Sequence, residues 1–166
     1  MPSTLGGPDV HGDPTTWFQL AGGLPTVTHS RFFDADNEYI NGTAPGMGGA
    51  RFGWIVDKGH NVAVSNDTAF FRHIFSRAKQ GLGMATYEQD FLAKQYESVA
   101  VLQSTPGAAK SWLAAMAAGA EAEGVTVQYC MALPRHILQS ASFPRVTHAR
   151  ASHDYGQSRA DDSEQW

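Results

Sequence analysis

Residues 125–133, VTVQYCMAL, form the clearest strand pattern in the chain. The run is almost continuously apolar, which is typical of a parallel strand covered on both faces. Gly124 comes directly before it and ends a helical pattern over residues 108–123, where apolar side chains fall on one face. Pro134 comes soon after it and opens a short helix through residue 140. The segment therefore predicts a helix–strand–helix unit of a parallel sheet.

The same alternation extends outward from this unit. A helix is predicted from an N-cap at Asn66 or Asp67 to about Lys79, because apolar residues recur there at helical spacing. A compact turn at Lys58-Gly-His60 predicts a small hairpin, and residues 34–50 are interpreted as a long loop. Three further segments have strand character: residues 25–33 (PTVTHSRFF), 84–92 (MATYEQDFL) and 145–152 (RVTHARAS).

This alternation predicts a parallel sheet, either open and doubly wound or closed into a barrel. No glycine-rich phosphate-binding sequence follows a strand, whereas polar residues cluster at several strand ends, as in barrel enzymes. We therefore expect an α/β fold: a partial (β/α)8 TIM barrel with four or five parallel strands and flanking helices. Residues 1–24 are predicted to be an N-terminal loop, residues 25–155 the barrel domain and residues 156–166 a polar tail.

Chain length predicts that the barrel is incomplete. A whole barrel needs roughly 250 residues, and this chain has 166. We therefore expect a fragment whose missing barrel segments leave open sheet edges, which favour self-association.

Composition narrows the classes of function. Acidic residues outnumber basic ones, 16 to 12, for a net charge of −4, which argues against nucleic-acid binding. No apolar run reaches the length of about 18 residues that a membrane span needs, and the N-terminus lacks the features of a signal peptide. Cys130 is the single cysteine, so no internal disulfide or cysteine-based zinc site is expected. The compartment stays open.

Polar residues occupy the C-terminal end of the strand predicted over residues 84–92. Its sequence Tyr87-Glu88-Gln89-Asp90 is expected at the active-site end of the sheet, since buried polar groups are energetically unfavourable elsewhere. Alternation places Glu88 and Asp90 on one side and Tyr87 and Gln89 on the other. The alternative is that the carboxylate at this position has no other role than to cap the following helix.

Two later strands supply further candidates. Cys130 is an inert buried thiol, a residue that lines a sugar pocket or, as the less favoured alternative, a nucleophile. Arg150, Ser152 and Asp154 share a parity and are expected to project together. An arginine beside an aspartate either forms a simple ion pair or shifts the pKa of a catalytic acid. The sequence spacing of the two residues does not distinguish these two roles.

Three motifs carry a resemblance to a known family. They are Asp90-Phe91, Cys130-Met131 and Arg150-Ala-Ser-His-Asp154-Tyr155. Together they resemble the retaining α-glycosidase clan of α-galactosidases and raffinose synthases, over about residues 25–155. The resemblance implies that Asp90 is the nucleophile, that Asp154 is the general acid/base, and that Arg150 and Cys130 line the sugar site. Glu88 stands where the family usually has a lysine, and His153 replaces an aspartate, so galactose itself is not implied.

Retaining hydrolysis needs two carboxyl groups about 5–5.5 Å apart. One must stay ionised to attack the anomeric carbon, while the other holds a proton for the leaving oxygen. The expected partner is a carbohydrate, with no cofactor and no metal. Further substrate-binding candidates come from the strand ends and aromatic positions: His29, Arg31, Trp54, Asp57, Tyr87 and Glu88.

Two alternatives remain at this point. The first is a metal-dependent barrel hydrolase using Asp90 with His29, His136, His148 or His153, although no His-x-His or HExxH spacing is present. The second is a truncated or decayed barrel that binds carbohydrate without cleaving it, or binds nothing.

Overall fold

A four-stranded parallel sheet organises the chain in a computed structural model that describes residues 22–150. The strand order is β1-β4-β5-β6, so each strand of this sheet lies beside the next one in the chain. A separate antiparallel hairpin consists of β2 and β3, and an isolated bridge between Phe33 and Ala63 joins it to the segment that follows β1. The strands are β1 (Thr26–Ser30), β2 (Trp54–Asp57), β3 (Val62–Ser65), β4 (Met84–Gln89), β5 (Thr126–Tyr129) and β6 (Val146–Ala149).

Helices fill the connections between the parallel strands. They are α1 (Glu38–Asn41), α2 (Thr68–Leu82), α3 (Leu92–Ser98), α4 (Ala100–Ser104), α5 (Ala108–Glu123) and α6 (Pro134–Ser140). None of the helices within residues 22–150 is both long enough and apolar enough to cross a membrane.

The longest helix pair, α2 and α5, forms the centre of the core. The Asp67 side chain caps α2 by accepting a hydrogen bond from the Ala69 amide at 2.8 Å, and Gly83 ends the helix in the left-handed conformation. Gly119 of α5 lies against α2, where a Cβ atom would stand 2.5 Å from the Cβ of Phe71. The buried stripe of α2 is Phe70, Phe71, Ile74, Phe75 and Ala78.

The two faces of the sheet differ. Tyr87 and Tyr129 point into the core, and the Tyr87 ring lies 4.8 Å from that of Phe75 in α2. The other face of the sheet carries a row of polar side chains, one from each strand, at paired positions. They are exposed or half-buried: His29, Glu88, Gln128 and His148. Because parallel crossovers are right-handed, strands added in one direction keep their helices on one side. The polar row therefore lies on the face that carries no helix within residues 22–150.

The α/β class and the parallel sheet are confirmed, with four parallel strands in the described part. Helices α5 and α6 have the predicted bounds, whereas those of other elements differ. The strand predicted over residues 84–92 ends at Gln89, since Asp90 and Phe91 leave the sheet and Leu92 already begins α3. The loop predicted over residues 34–50 contains α1, and α3 and α4 were not predicted. Among residues 22–150, β1 and β6 each pair on one side only.

Candidate functional site

Asp90 directly follows β4 at the carboxyl edge of the sheet. Its amide donates to the Ser30 carbonyl of β1 at 2.8 Å, which anchors its backbone to the neighbouring strand. Phe91 then turns the chain with φ of 57°, a left-handed conformation that is uncommon for a bulky residue. The turn lets the Phe91 amide donate to the Asp90 carboxylate at 2.7 Å. Strain of this kind clusters at functional sites.

Among residues 22–150, three donors surround the Asp90 carboxylate. The His29 imidazole lies 3.0 Å from Oδ2, the Phe91 amide binds Oδ1, and the Cys130 thiol donates a further hydrogen bond. Burial on its own raises the pKa of Asp90, but these hydrogen bonds outweigh it and hold the pKa below its usual value. Asp90 is 9% exposed. The group is therefore an ionised, oriented carboxylate with a small opening to solvent.

Cys130 follows β5 as Asp90 follows β4. Burial and the nearby Asp90 carboxylate raise the pKa of the thiol to about 12, so it stays protonated. Both the thiol and the His29 imidazole interact with the Asp90 carboxylate. The structure thus places Cys130 as a partner of Asp90 with 3% exposure, rather than as a wall of an open pocket.

Two buried glutamines, which sequence reasoning missed, brace this edge. The Gln95 side-chain amide donates to the Asp90 carbonyl at 2.9 Å, and that of Gln89 donates to the Arg31 carbonyl. Tyr87 donates its hydroxyl proton to the Gln89 side-chain oxygen at 3.1 Å. The only sequence signal was the presence of amide side chains beside a strand end, which is not specific.

Helix α3 links the two strand-end turns. The amides of Leu92 and Ala93, at its N-terminus, donate to the carbonyls of Cys130 and Met131 at 3.4 and 2.8 Å. Met131 also has positive φ, 49°, so both turns use the same unusual backbone. These bonds hold the Asp90 and Cys130 segments together.

Charged candidates lie along the same edge. Arg150 follows β6, and its amide donates to the Tyr129 carbonyl at 2.8 Å. Its charge lowers, and that of Glu88 raises, the pKa of Cys130, which places both near the thiol. The Arg31 guanidinium lies 4.4 Å from the centroid of the Phe91 ring. The structure therefore brings His29, Arg31, Glu88, Cys130 and Arg150 to the edge that holds Asp90.

Other predicted contacts are not brought there. Tyr87 is fully buried in the core, so its expected role as a substrate-binding residue is corrected to core packing. Trp54 belongs to the hairpin, where its ring packs 4.6 Å from that of Phe70. Asp57 ends β2 and accepts from the His60 amide at 3.0 Å, a bond that lowers the Asp57 pKa. Neither hairpin residue touches the Asp90 cluster through a hydrogen bond.

Asp154, the expected acid/base, lies outside the described residues, as do Ser152 and His153. His136 is fully buried beside Tyr96 and Trp112, which makes it a structural residue. Within residues 22–150 no group of three or more His, Cys, Asp or Glu side chains is placed to hold a metal ion.

Comparisons of the chain with known protein families, with curated proteins and with solved structures find no match. Function is therefore argued from the Asp90 cluster itself. An ionised carboxylate at a sheet edge, fixed by three donors, can act as a nucleophile or as a general base.

Proposed function

We propose that the chain is part of a (β/α)8-barrel glycoside hydrolase that cleaves an α-glycosidic bond with retention of configuration. The ionised state of Asp90 at the carboxyl edge carries the proposal. Barrel enzymes place their chemistry at this edge, and a nucleophile in this reaction has to be deprotonated before substrate binds.

Two features of the sheet support the barrel. Its strands follow chain order without a reversal, as barrel strands do, whereas doubly wound sheets reverse at a switch point. The row His29, Glu88, Gln128 and His148 lies on the face that carries none of the described helices, and this face becomes the interior when a barrel closes. Strands beyond the described four would complete it.

In the proposed reaction, Asp90 attacks the anomeric carbon while Asp154 gives its proton to the leaving oxygen. The glycosidic bond breaks and a covalent glycosyl ester forms on Asp90. Asp154 then takes a proton from water, the water oxygen attacks the same carbon, and the ester bond breaks to release the sugar and free Asp90. His29 and Cys130 orient the carboxylate, and Arg150, Glu88 and Arg31 are proposed to contact the sugar.

A mechanism-based glycosidase probe that leaves a stable glycosyl ester tests the nucleophile. After reaction with the 166-residue chain, peptide mapping should locate the label on Asp90. Asp90→Asn should abolish labelling. The matched control Asp57→Asn, which alters another histidine-paired aspartate, should leave it unchanged.

Other results contradict the proposal in different ways. A label on another residue overturns the assignment of the nucleophile. Absence of label, combined with sugar-induced shifts in an NMR spectrum, favours a barrel remnant that only binds carbohydrate. Asp154→Ala should spare activated aryl glycosides far more than natural ones, because a good leaving group needs little protonation; equal losses argue against an acid/base role.

A further inference from the structure

A second candidate site lies on the outer surface of α2, apart from the sheet edge that holds Asp90. A groove of about 480 Å³ opens between this helix, the loop around Gly46 and the end of α5. This volume falls within the range of about 300–1,000 Å³ typical of small-molecule sites. Its lining residues on α2 share one helical face: Ala69, Arg72, His73, Ser76 and Arg77.

The Arg77 side chain is held in place at one wall. Its guanidinium donates to the Pro45 carbonyl at 2.5 Å. Gly46 makes this position possible, since a Cβ atom there would overlap the guanidinium, and Gly46 also has positive φ. The loop therefore fixes the direction of Arg77, which reduces the entropy lost when a ligand is bound.

Positive charge in the groove is only partly balanced. Arg72 pairs with Glu123 through a contact of 3.4 Å between Nε and Oε1. Arg77 has no carboxylate in ion-pair contact among residues 22–150. Burial, followed by the charge of Arg77, lowers the pKa of His73. An anion is the ligand that this field favours.

The other residues that line the groove indicate which further chemical groups the ligand has. The Ser76 oxygen accepts from Gln80 at 3.2 Å, which leaves its proton free to be donated. Phe52 and Ala50 supply an apolar side. We propose that this groove binds a small organic phosphate, with Arg77, Arg72 and Ser76 on the phosphate oxygens and the organic part against Phe52. Planar guanidinium groups match phosphate geometry closely.

An NMR titration of the 166-residue chain with inorganic phosphate and with phenyl phosphate tests the site. Shifts should concentrate on the residues that line the groove, and phenyl phosphate should bind more tightly because its ring covers Phe52. Arg77→Gln should weaken phenyl phosphate binding at least about tenfold, the effect of one charge-assisted hydrogen bond. Lys110→Gln, an exposed change of equal charge on α5, should leave the affinity unchanged.

Arg72→Gln keeps the test decisive if Arg77→Gln fails to fold, because Arg72 makes one long, exposed ion pair. It should weaken binding several-fold. Shifts spread over all basic residues, or equal losses in Arg72→Gln and Lys110→Gln, would show nonspecific attraction and overturn the proposal. Titration without any groove shifts would overturn it as well. The outcome is independent of the glycosidase hypothesis, since no groove residue belongs to the Asp90 cluster.

Discussion

His136 should make the stability of this fold depend steeply on pH. The side chain is fully buried, and its Nδ1 accepts a hydrogen bond from the Leu133 amide at 3.1 Å. Burial, followed by the neighbouring charge of Arg135, lowers the pKa of His136 from 6.5 to about 4. The folded chain therefore keeps the ring neutral at a pH where the unfolded chain already protonates it.

The magnitude follows from linkage. Well above pH 6.5 both states are neutral at this residue, so it adds no pH dependence there. As the pH falls from 6.5 toward 4, the histidine binds a proton in the unfolded state but not in the folded state. The free energy of unfolding therefore decreases. A gap of about 2.5 pH units, at 1.36 kcal/mol per unit, corresponds to about 3 kcal/mol. That is a large share of the roughly 5–15 kcal/mol that stabilises a typical domain.

Urea denaturation at about pH 7.5 and about pH 4.5 measures this loss, with wild type compared against His136→Gln. The glutamine oxygen can still accept from Leu133 but does not titrate. The free energy of unfolding typically changes by about 1–3 kcal/mol per molar urea. Between the two pH values, the urea midpoint of wild type should therefore fall by at least about 1 M more than that of the variant. His148→Gln, an exposed histidine of β6, is the control and should retain the wild-type pH dependence. An equal pH loss in wild type and His136→Gln would refute the reasoning.

Three further predictions concern packing and the site. Gly119→Ala should destabilise the fold by about 1–3 kcal/mol, because its Cβ would stand 2.5 Å from that of Phe71, and urea denaturation measures the change. Gly81→Ala, which meets no atom within 4 Å, should instead stabilise by about 0.5–1 kcal/mol through helix propensity; destabilisation comparable to that of Gly119→Ala would contradict the close-packing argument. Cys130→Ala should raise the pKa of Asp90, because one hydrogen bond to the carboxylate is lost; carboxyl-carbon NMR across pH reads this shift, and an unchanged midpoint would rule out the thiol as a donor.

Local pattern was sufficient for the elements that carry a strong period. Helix α5 occupies the predicted residues, since small and apolar residues recur along it and a left-handed glycine follows. Helix α2 begins after one of the two predicted caps. The strands also occur where expected but are shorter, and β4 and β5 end just before the backbone turns at Phe91 and Met131. Nothing in the sequence indicates that a phenylalanine or a methionine will adopt a positive φ.

The candidate site was predictable only in part. A polar strand end marked Asp90, and parity placed Glu88 on its side of the strand. The hydrogen bonds from His29 and Cys130 join residues 61 and 40 positions away in the chain, and only the pairing of β1, β4 and β5 brings them together. Tyr87 was misassigned because an aromatic ring near a strand end suggested stacking on a sugar, whereas the ring is buried in the core and its hydroxyl donates to Gln89 there.

From the sequence alone came the alternation of strands and helices, and with it a parallel α/β sheet, because side-chain periodicity is a local property of the backbone. Tertiary structure decided the protonation states and the partners. Strand register sets which donors meet the Asp90 carboxylate, and helix packing sets how deeply His136 is buried. Both depend on distances between residues remote in the chain, which no local pattern contains.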